Sequence, residues 1–132
     1  METKYHHIQA KDFIRTTTKG DLDVEATGRM LLTAESLVTP PGSHDLFIDC
    51  REATGKLSLA EVTKLVNTML DHRSLFGHKL AILTLEGEKF QTMQFMENYA
   101  VNRGLKVAAF TDYEQAINWL MLQTELPVPA VN

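Results

Sequence analysis

The chain has 132 residues and a mass of 14.9 kDa, which fits one domain able to bury about two-thirds of its unfolded surface. Hydrophobic residues are 44% and charged residues 23%, a balance that argues against a disordered chain. With 13 basic and 17 acidic residues the net charge is −4, so no general attraction to nucleic acid or anionic lipid is expected.

Cys50 is the only cysteine, so neither an intrachain disulfide nor a cysteine-based zinc cluster can form. The opening METKYHHIQAKDF lacks the apolar stretch of a signal peptide. Runs such as VAAF and WLML reach only four residues, far short of a bilayer span. The expectation is a cytoplasmic protein with no membrane insertion.

Two β-branched and aromatic-rich segments come first, Lys4 to Ile8 and Asp12 to Thr18, and the QAKD stretch between them is of hairpin length. Lys19-Gly20-Asp21 reads as a turn, after which Asp21 or Asp23 caps a helix. Val24, Leu31, Ala34 and Val38 share one stripe of that helix. Gly28 lies on the same stripe, where a missing side chain suits close packing at a propensity cost of about 1 kcal/mol. Pro40-Pro41-Gly42 then ends the helix.

Beyond that loop, Asp45 to Cys50, Lys79 to Thr84 and Leu105 to Phe110 are short, mostly apolar runs. Continuous hydrophobicity suits strands of a parallel sheet covered by helices. Each run precedes a helical pattern. Ser58 and Glu61 form a capping box before Val62, Leu65, Val66, Met69 and Leu70. Phe90, Met93, Met96 or Glu97, and Ala100 mark the next helix, closed by Arg103-Gly104. Thr111 to Glu114 reads as a second capping box leading to Ala116, Ile117 and Leu120. The prolines of LPVPAVN predict an extended tail over 124–132. The order β-β-α-β-α-β-α-β-α predicts one α/β domain over 1–132, with a mostly parallel sheet and an antiparallel N-terminal edge strand.

That order, the LFIDCREATG segment with its following capped helix, and the ending GLKVAAFTDYEQAINWL are similar to SpoIIAA-like, STAS-type domains of the STAS/SEC14 domain-containing group. The resemblance covers nearly the whole chain and implies that fold. It also implies a regulatory or docking role, since the group includes anti-sigma-factor antagonists, partner-docking modules and suspected holders of apolar ligands. The antagonists carry a phosphorylatable serine in a D-S-[ST]-G stretch. Ser58 aligns with that serine, although the aspartate before it and the glycine after it are absent here.

Candidate sites follow from residue type and placement. Ser58 is either a phosphoacceptor at a helix start or simply its cap. Asp49, Arg51 and Glu52 follow the third strand, with Thr84, Glu86, Thr111 and Asp112 at the ends of the fourth and fifth. Strand ends gather ligands in open α/β sheets, so these residues form either a polar rim or a solvated loop with a local ion pair. Cys50 alternates with Leu46 and Ile48, which predicts a buried, inert thiol. His6 and His7 point to opposite faces of a strand, and no metal-ligand spacing links His44, His72 and His78, so no metal or other cofactor is expected.

The third helix carries Phe90, Met93, Phe95, Met96 and Tyr99, wider than one core stripe. Such a surface suits a protein partner, an apolar pocket, or core contact with a dimer seam. No P-loop, G-x-G-x-x-G, C-x-x-C or G-x-S-x-G is present. The expected function is a non-enzymatic docking module, acting on a protein partner or as a homodimer through Asp49, Arg51, Ser58, Phe90, Met93 and Met96. The alternative is a domain that binds a small, lipid-like apolar ligand.

Overall fold

The computed structural model describes residues 1–8, 13–38 and 40–122. The QAKD connection at 9–12 and the 124–132 tail lie outside the described residues. Strand β1 (Glu2–Ile8) pairs antiparallel with β2 (Phe13–Asp21), in the register Tyr5 with Thr16 and Lys4 with Thr17. Then come α1 (Val24–Glu35), β3 (Asp45–Thr54), α2 (Leu59–Asp71), β4 (Lys79–Leu83), α3 (Glu88–Val101), β5 (Lys106–Phe110) and α4 (Tyr113–Met121). A single 3₁₀ turn, Arg73–Leu75, links α2 to β4.

The sheet order β1-β2-β3-β4-β5 is the order of the chain, and β2 to β5 run parallel. Each parallel strand therefore adds on the same side of the previous one. Right-handed crossovers then carry α1, α2 and α3 over the same face of the sheet. Helix α4 follows the last strand, makes no crossover, and packs on the other face.

The two faces have separate cores. On the first, Ile14, Leu46, Ile48, Leu80, Ile82 and Val107 meet Leu31 and Ala34 of α1, Val62 and Val66 of α2, and Met96 and Ala100 of α3. On the second, Phe13, Phe47, Ala81 and Leu83 meet Ala116 and Leu120 of α4. Phe13 and Phe47 stand edge to face at 6.0 Å. Helix α4 lies over β4 and β5, and its first turn reaches Phe47 of β3, with Tyr113 and Phe47 at 5.5 Å. Among the described elements, that face is left open over β1 and over the parts of β2 and β3 where Arg15, Thr17, Lys19 and Arg51 stay partly exposed.

Several boundaries differ from expectation. Lys19-Gly20-Asp21 is not a turn, because these residues continue β2 and pair with Glu52, Ala53 and Thr54. Correspondingly β3 runs to Thr54 rather than Cys50. A polar strand end of this kind is stable where one sheet face meets water. Asp23 caps α1, its carboxylate accepting the Ala26 amide hydrogen at 2.8 Å. Helix α4 is capped by Asp112, which accepts from the Glu114 amide at 2.8 Å, and not by Thr111. Val38 lies past the end of α1 yet is buried.

Gly28 does not mark a close approach. A methyl group there would meet Leu65 Cδ1 at an ordinary 4.0 Å. Since glycine inside a helix is costly, Gly28→Ala should raise stability by about 0.5–1 kcal/mol, read as a higher urea midpoint. An unchanged or lower midpoint would mean that the α1–α2 contact requires the glycine.

Candidate functional site

The uncovered half of the second face is organised around a β-bulge. Thr17 pairs with Asp49 and Lys19 with Glu52, so Cys50 and Arg51 together oppose Thr18. The extra residue shifts the alternation of β3, turning Ala53 into the core while Arg51 stays on the face of Asp49. Asp49 holds the bulge in place. Its Oδ1 accepts the Arg51 backbone amide at 3.1 Å and Arg51 Nε at 3.0 Å, and its Oδ2 accepts Arg51 Nη2 at 2.9 Å. Arg15 Nη2 reaches the same Oδ2 at 3.4 Å from the neighbouring strand.

One carboxylate thus serves two guanidinium groups. Burial pushes the Asp49 carboxyl up, but the hydrogen bonds from Arg51 and Arg15 outweigh that and hold it below its ordinary value. Tyr113, at the start of α4, lies under both cations, with its ring centre 5.4 Å from the Arg15 guanidinium and 5.9 Å from that of Arg51. Lys19 and Glu52 pair at 3.5 Å beyond them. The Arg15 and Arg51 side chains remain 33% and 41% exposed, so the cluster is reachable from solvent.

Cys50 lies on the opposite face from Asp49 and Arg51, beside Thr18; the residue as a whole is half-buried rather than buried, with its thiol turned inward. Burial pushes its thiol up to about 11, which leaves it protonated at neutral pH and a poor nucleophile. With Thr18, Thr84 and Ile48 it lines a mostly apolar cavity of about 40 Å³. Met30 and Leu31 of α1, Leu65 of α2, and Lys89, Met93 and Met96 of α3 complete the wall, with Lys56 and Leu57 from the β3–α2 connection.

The six candidate residues do not form one site. Asp49 and Arg51 occupy the second face; Met93 and Met96 are buried on the first and line the cavity. Phe90 packs against the same core half-buried, as do Phe95 and Tyr99, which stack at 6.0 Å. Tyr99 reaches Asn67 of α2 at 3.4 Å and carries Arg103 over its ring at 3.4 Å. Part of this apolar surface is thus taken up by the sheet on one side and, at Tyr99, by α2 on the other, while Phe90, Phe95 and Tyr99 stay partly exposed. Ser58 caps α2, with both hydrogen bonds of the capping box present: Glu61 N to Ser58 Oγ at 3.1 Å and Ser58 N to Glu61 Oε1 at 2.9 Å.

The rim reading also changes. Arg51 and Glu52 lie within β3 and not beyond it. A sheet whose spatial order equals its chain order has no topological switch point. Thr84 is buried in the cavity wall. Arg15, Tyr113 and Lys89 were missed. The alternation Phe13, Arg15, Thr17, Lys19 against Ile14, Thr16, Thr18 signals one wet and one dry face of β2, and it was available in the sequence. Among the described residues no group of three or more His, Cys, Asp or Glu is placed to hold a metal ion. No described helix is long and apolar enough to cross a membrane.

A five-stranded mixed sheet, with three helices on one face and a terminal helix on the other, is the SpoIIAA-like fold. The chain is similar to the solved structure of an uncharacterized protein of the DUF3478 family with a SpoIIAA-like fold from Shewanella loihica PV-4. The two share 20% identity at a TM-score of 0.58, over 90% of this chain and 92% of that one. No family sequence model matches the chain. No curated protein matches it either.

Proposed function

We propose that the chain is a non-enzymatic, cytoplasmic docking module whose contact surface is the uncovered half of the second sheet face. The observation that carries this reading is the cluster of Arg15, Asp49, Arg51 and Tyr113. Two guanidinium groups share one carboxylate, which leaves local positive charge in a chain whose net charge is −4. Both cations are held by Asp49 and by the Tyr113 ring, so little side-chain freedom is lost when they meet a further carboxylate. The partner is a protein surface bearing Asp or Glu, a second copy of this acidic chain included. The non-enzymatic reading is supported by the protonated thiol of Cys50, which lies across the sheet from Asp49 and Arg51.

Crosslinking capture in host lysate, combined with light scattering of the pure protein, tests this proposal. The wild type should give an adduct or a dimer mass that Arg51→Glu abolishes without loss of folded circular dichroism. A strictly monomeric mass together with adducts that are indifferent to Arg51→Glu would contradict it. A second reading, a domain that holds a small apolar ligand, is favoured by the cavity behind Met93 and Met96. Native mass spectrometry separates the two, since co-purifying apolar mass belongs only to the second.

A further inference from the structure

The cavity on the first face is mostly apolar, yet a cation stands in its wall. Lys89, in the first turn of α3, donates from Nζ to the Ala53 carbonyl at 2.6 Å. Among the described residues, no carboxylate lies within ion-pair distance of this ammonium. An ammonium carries three donors, so two remain after the Ala53 bond. The other lysine of the wall, Lys56, is paired with Glu88 at 3.3 Å. The N-cap of α3 is Gly87, which supplies no side-chain cap, and the one acid of its first turn, Glu88, is paired with Lys56.

A second polar group faces the same space. The Thr18 hydroxyl is wholly buried and lines the cavity, where its neighbour is the Cys50 thiol, a weak partner that leaves it able to meet a ligand oxygen. Apart from Thr27, Thr84, Cys50 and Lys56, the rest of the wall is aliphatic and thioether, with Met30, Met93 and Met96 the adjustable parts. Methionine changes shape at small cost, so this wall can lengthen around a tail. A half-buried cation with no counter-ion among the described residues, at one end of a mostly apolar space, is complementary to one negative charge on an apolar body. A single ammonium with two donors left matches a monoanion better than a phosphate dianion, and it repels an amine. About 40 Å³ holds about three water-sized groups, which limits the unadjusted tail to a short one.

Resting on the apolar-ligand reading, we infer that this cavity binds a short aliphatic monocarboxylate, its carboxylate on Lys89 and its tail among Met30, Met93 and Met96. The test uses the full chain labelled at its methionine methyl groups and titrated with sodium butanoate or 1-butanol, followed by NMR. Butanoate should shift the cavity methyl signals and bind at least about tenfold tighter than butanol. Lys89→Met, which keeps the stem, should weaken butanoate about tenfold and leave butanol unchanged; Lys89→Gln serves the same purpose if the first variant folds poorly. Butanol binding as tightly as butanoate, or butanoate binding untouched by both variants, would overturn the carboxylate assignment while leaving an apolar pocket. Methyl signals that move with neither compound would overturn that pocket reading as well.

Discussion

Lys79→Met should lower stability by about 2–3 kcal/mol and loosen α4 in particular. Lys79 opens β4 and points to the second face, where it is only 4% exposed. Its ammonium donates to the carbonyls of Trp119 at 2.8 Å, Leu120 at 3.4 Å and Leu122. These carbonyls end α4 at the negative end of its dipole, and that of Trp119 also accepts the Leu122 amide at 3.3 Å. Burial pulls the Lys79 pKa below its ordinary value, and the carbonyls and the Trp119 ring, 5.5 Å away, offset that desolvation. Methionine keeps the alkyl stem and removes only the donor. Trp119 is the only tryptophan, so its fluorescence reports this contact directly. The variant should show red-shifted emission and a melting temperature lower by roughly 5–10 °C. Unchanged emission and an unchanged midpoint would mean that the carbonyls find equal partners in water.

A larger loss is expected at Glu35, where replacement by alanine should cost about 3–5 kcal/mol. Glu35 closes α1 at 1% exposure, and its Oε2 lies 2.5 Å from His78 Nε2. The other ring nitrogen, Nδ1, faces the Lys79 carbonyl at 2.8 Å and must donate to it. Neutral histidine then has only Nε2 as an acceptor, so the pair shares one proton, as imidazolium with carboxylate or as imidazole with carboxylic acid. Burial raises the Glu35 carboxyl above its ordinary range despite His78. Burial also pulls His78 down, but hydrogen bonding and attraction to Glu35 outweigh it and leave its pKa raised. Asp45 and His44 are the other charged or titratable neighbours felt by the pair.

The sign of the pH dependence follows. In the unfolded chain the histidine loses its proton near its ordinary value of 6.5, while the folded pair still holds one. A raised folded pKa gives stability that is complete below the unfolded value and lost as pH rises through the folded one. Stability should therefore fall as pH rises above the unfolded histidine's ordinary value of 6.5, with a slope of at most about 1.4 kcal/mol per pH unit from this pair. The double variant Glu35→Met with His78→Leu should flatten that slope and recover much of the single-variant loss. A slope unaltered by the double change would assign the pH dependence to other groups.

Local signals in the chain reached the helices and most strands, because capping residues and apolar spacing act over a few positions. Asp23, Ser58 with Glu61, and Gly104 each do at their helix ends what their type suggests. The end of β3 was not legible for a physical reason. Arg51, Glu52 and Thr54 look like a loop unless one face of the sheet is open, and that openness follows from strand order, which no local pattern carries. The same order places Asp49 and Cys50, adjacent in sequence, on opposite faces with different surroundings. The apolar surplus of Phe90, Phe95 and Tyr99 was visible, but its partial cover, α2, lies about thirty residues away. Lys79 and His78 likewise gain their meaning only from Trp119 and Glu35, some forty positions distant.

The claim that a partner sits on the uncovered half of the second face is tested most directly by site-specific photo-crosslinking in the native host. A benzophenone side chain replaces Thr17, beside Asp49 on that face, or Gln94, exposed on α3 across the molecule. The Thr17 probe should give a protein adduct that Arg51→Glu removes, and the Gln94 probe should give none. Adducts from Gln94 alone, or from neither position at equal expression, would contradict the assignment of this face.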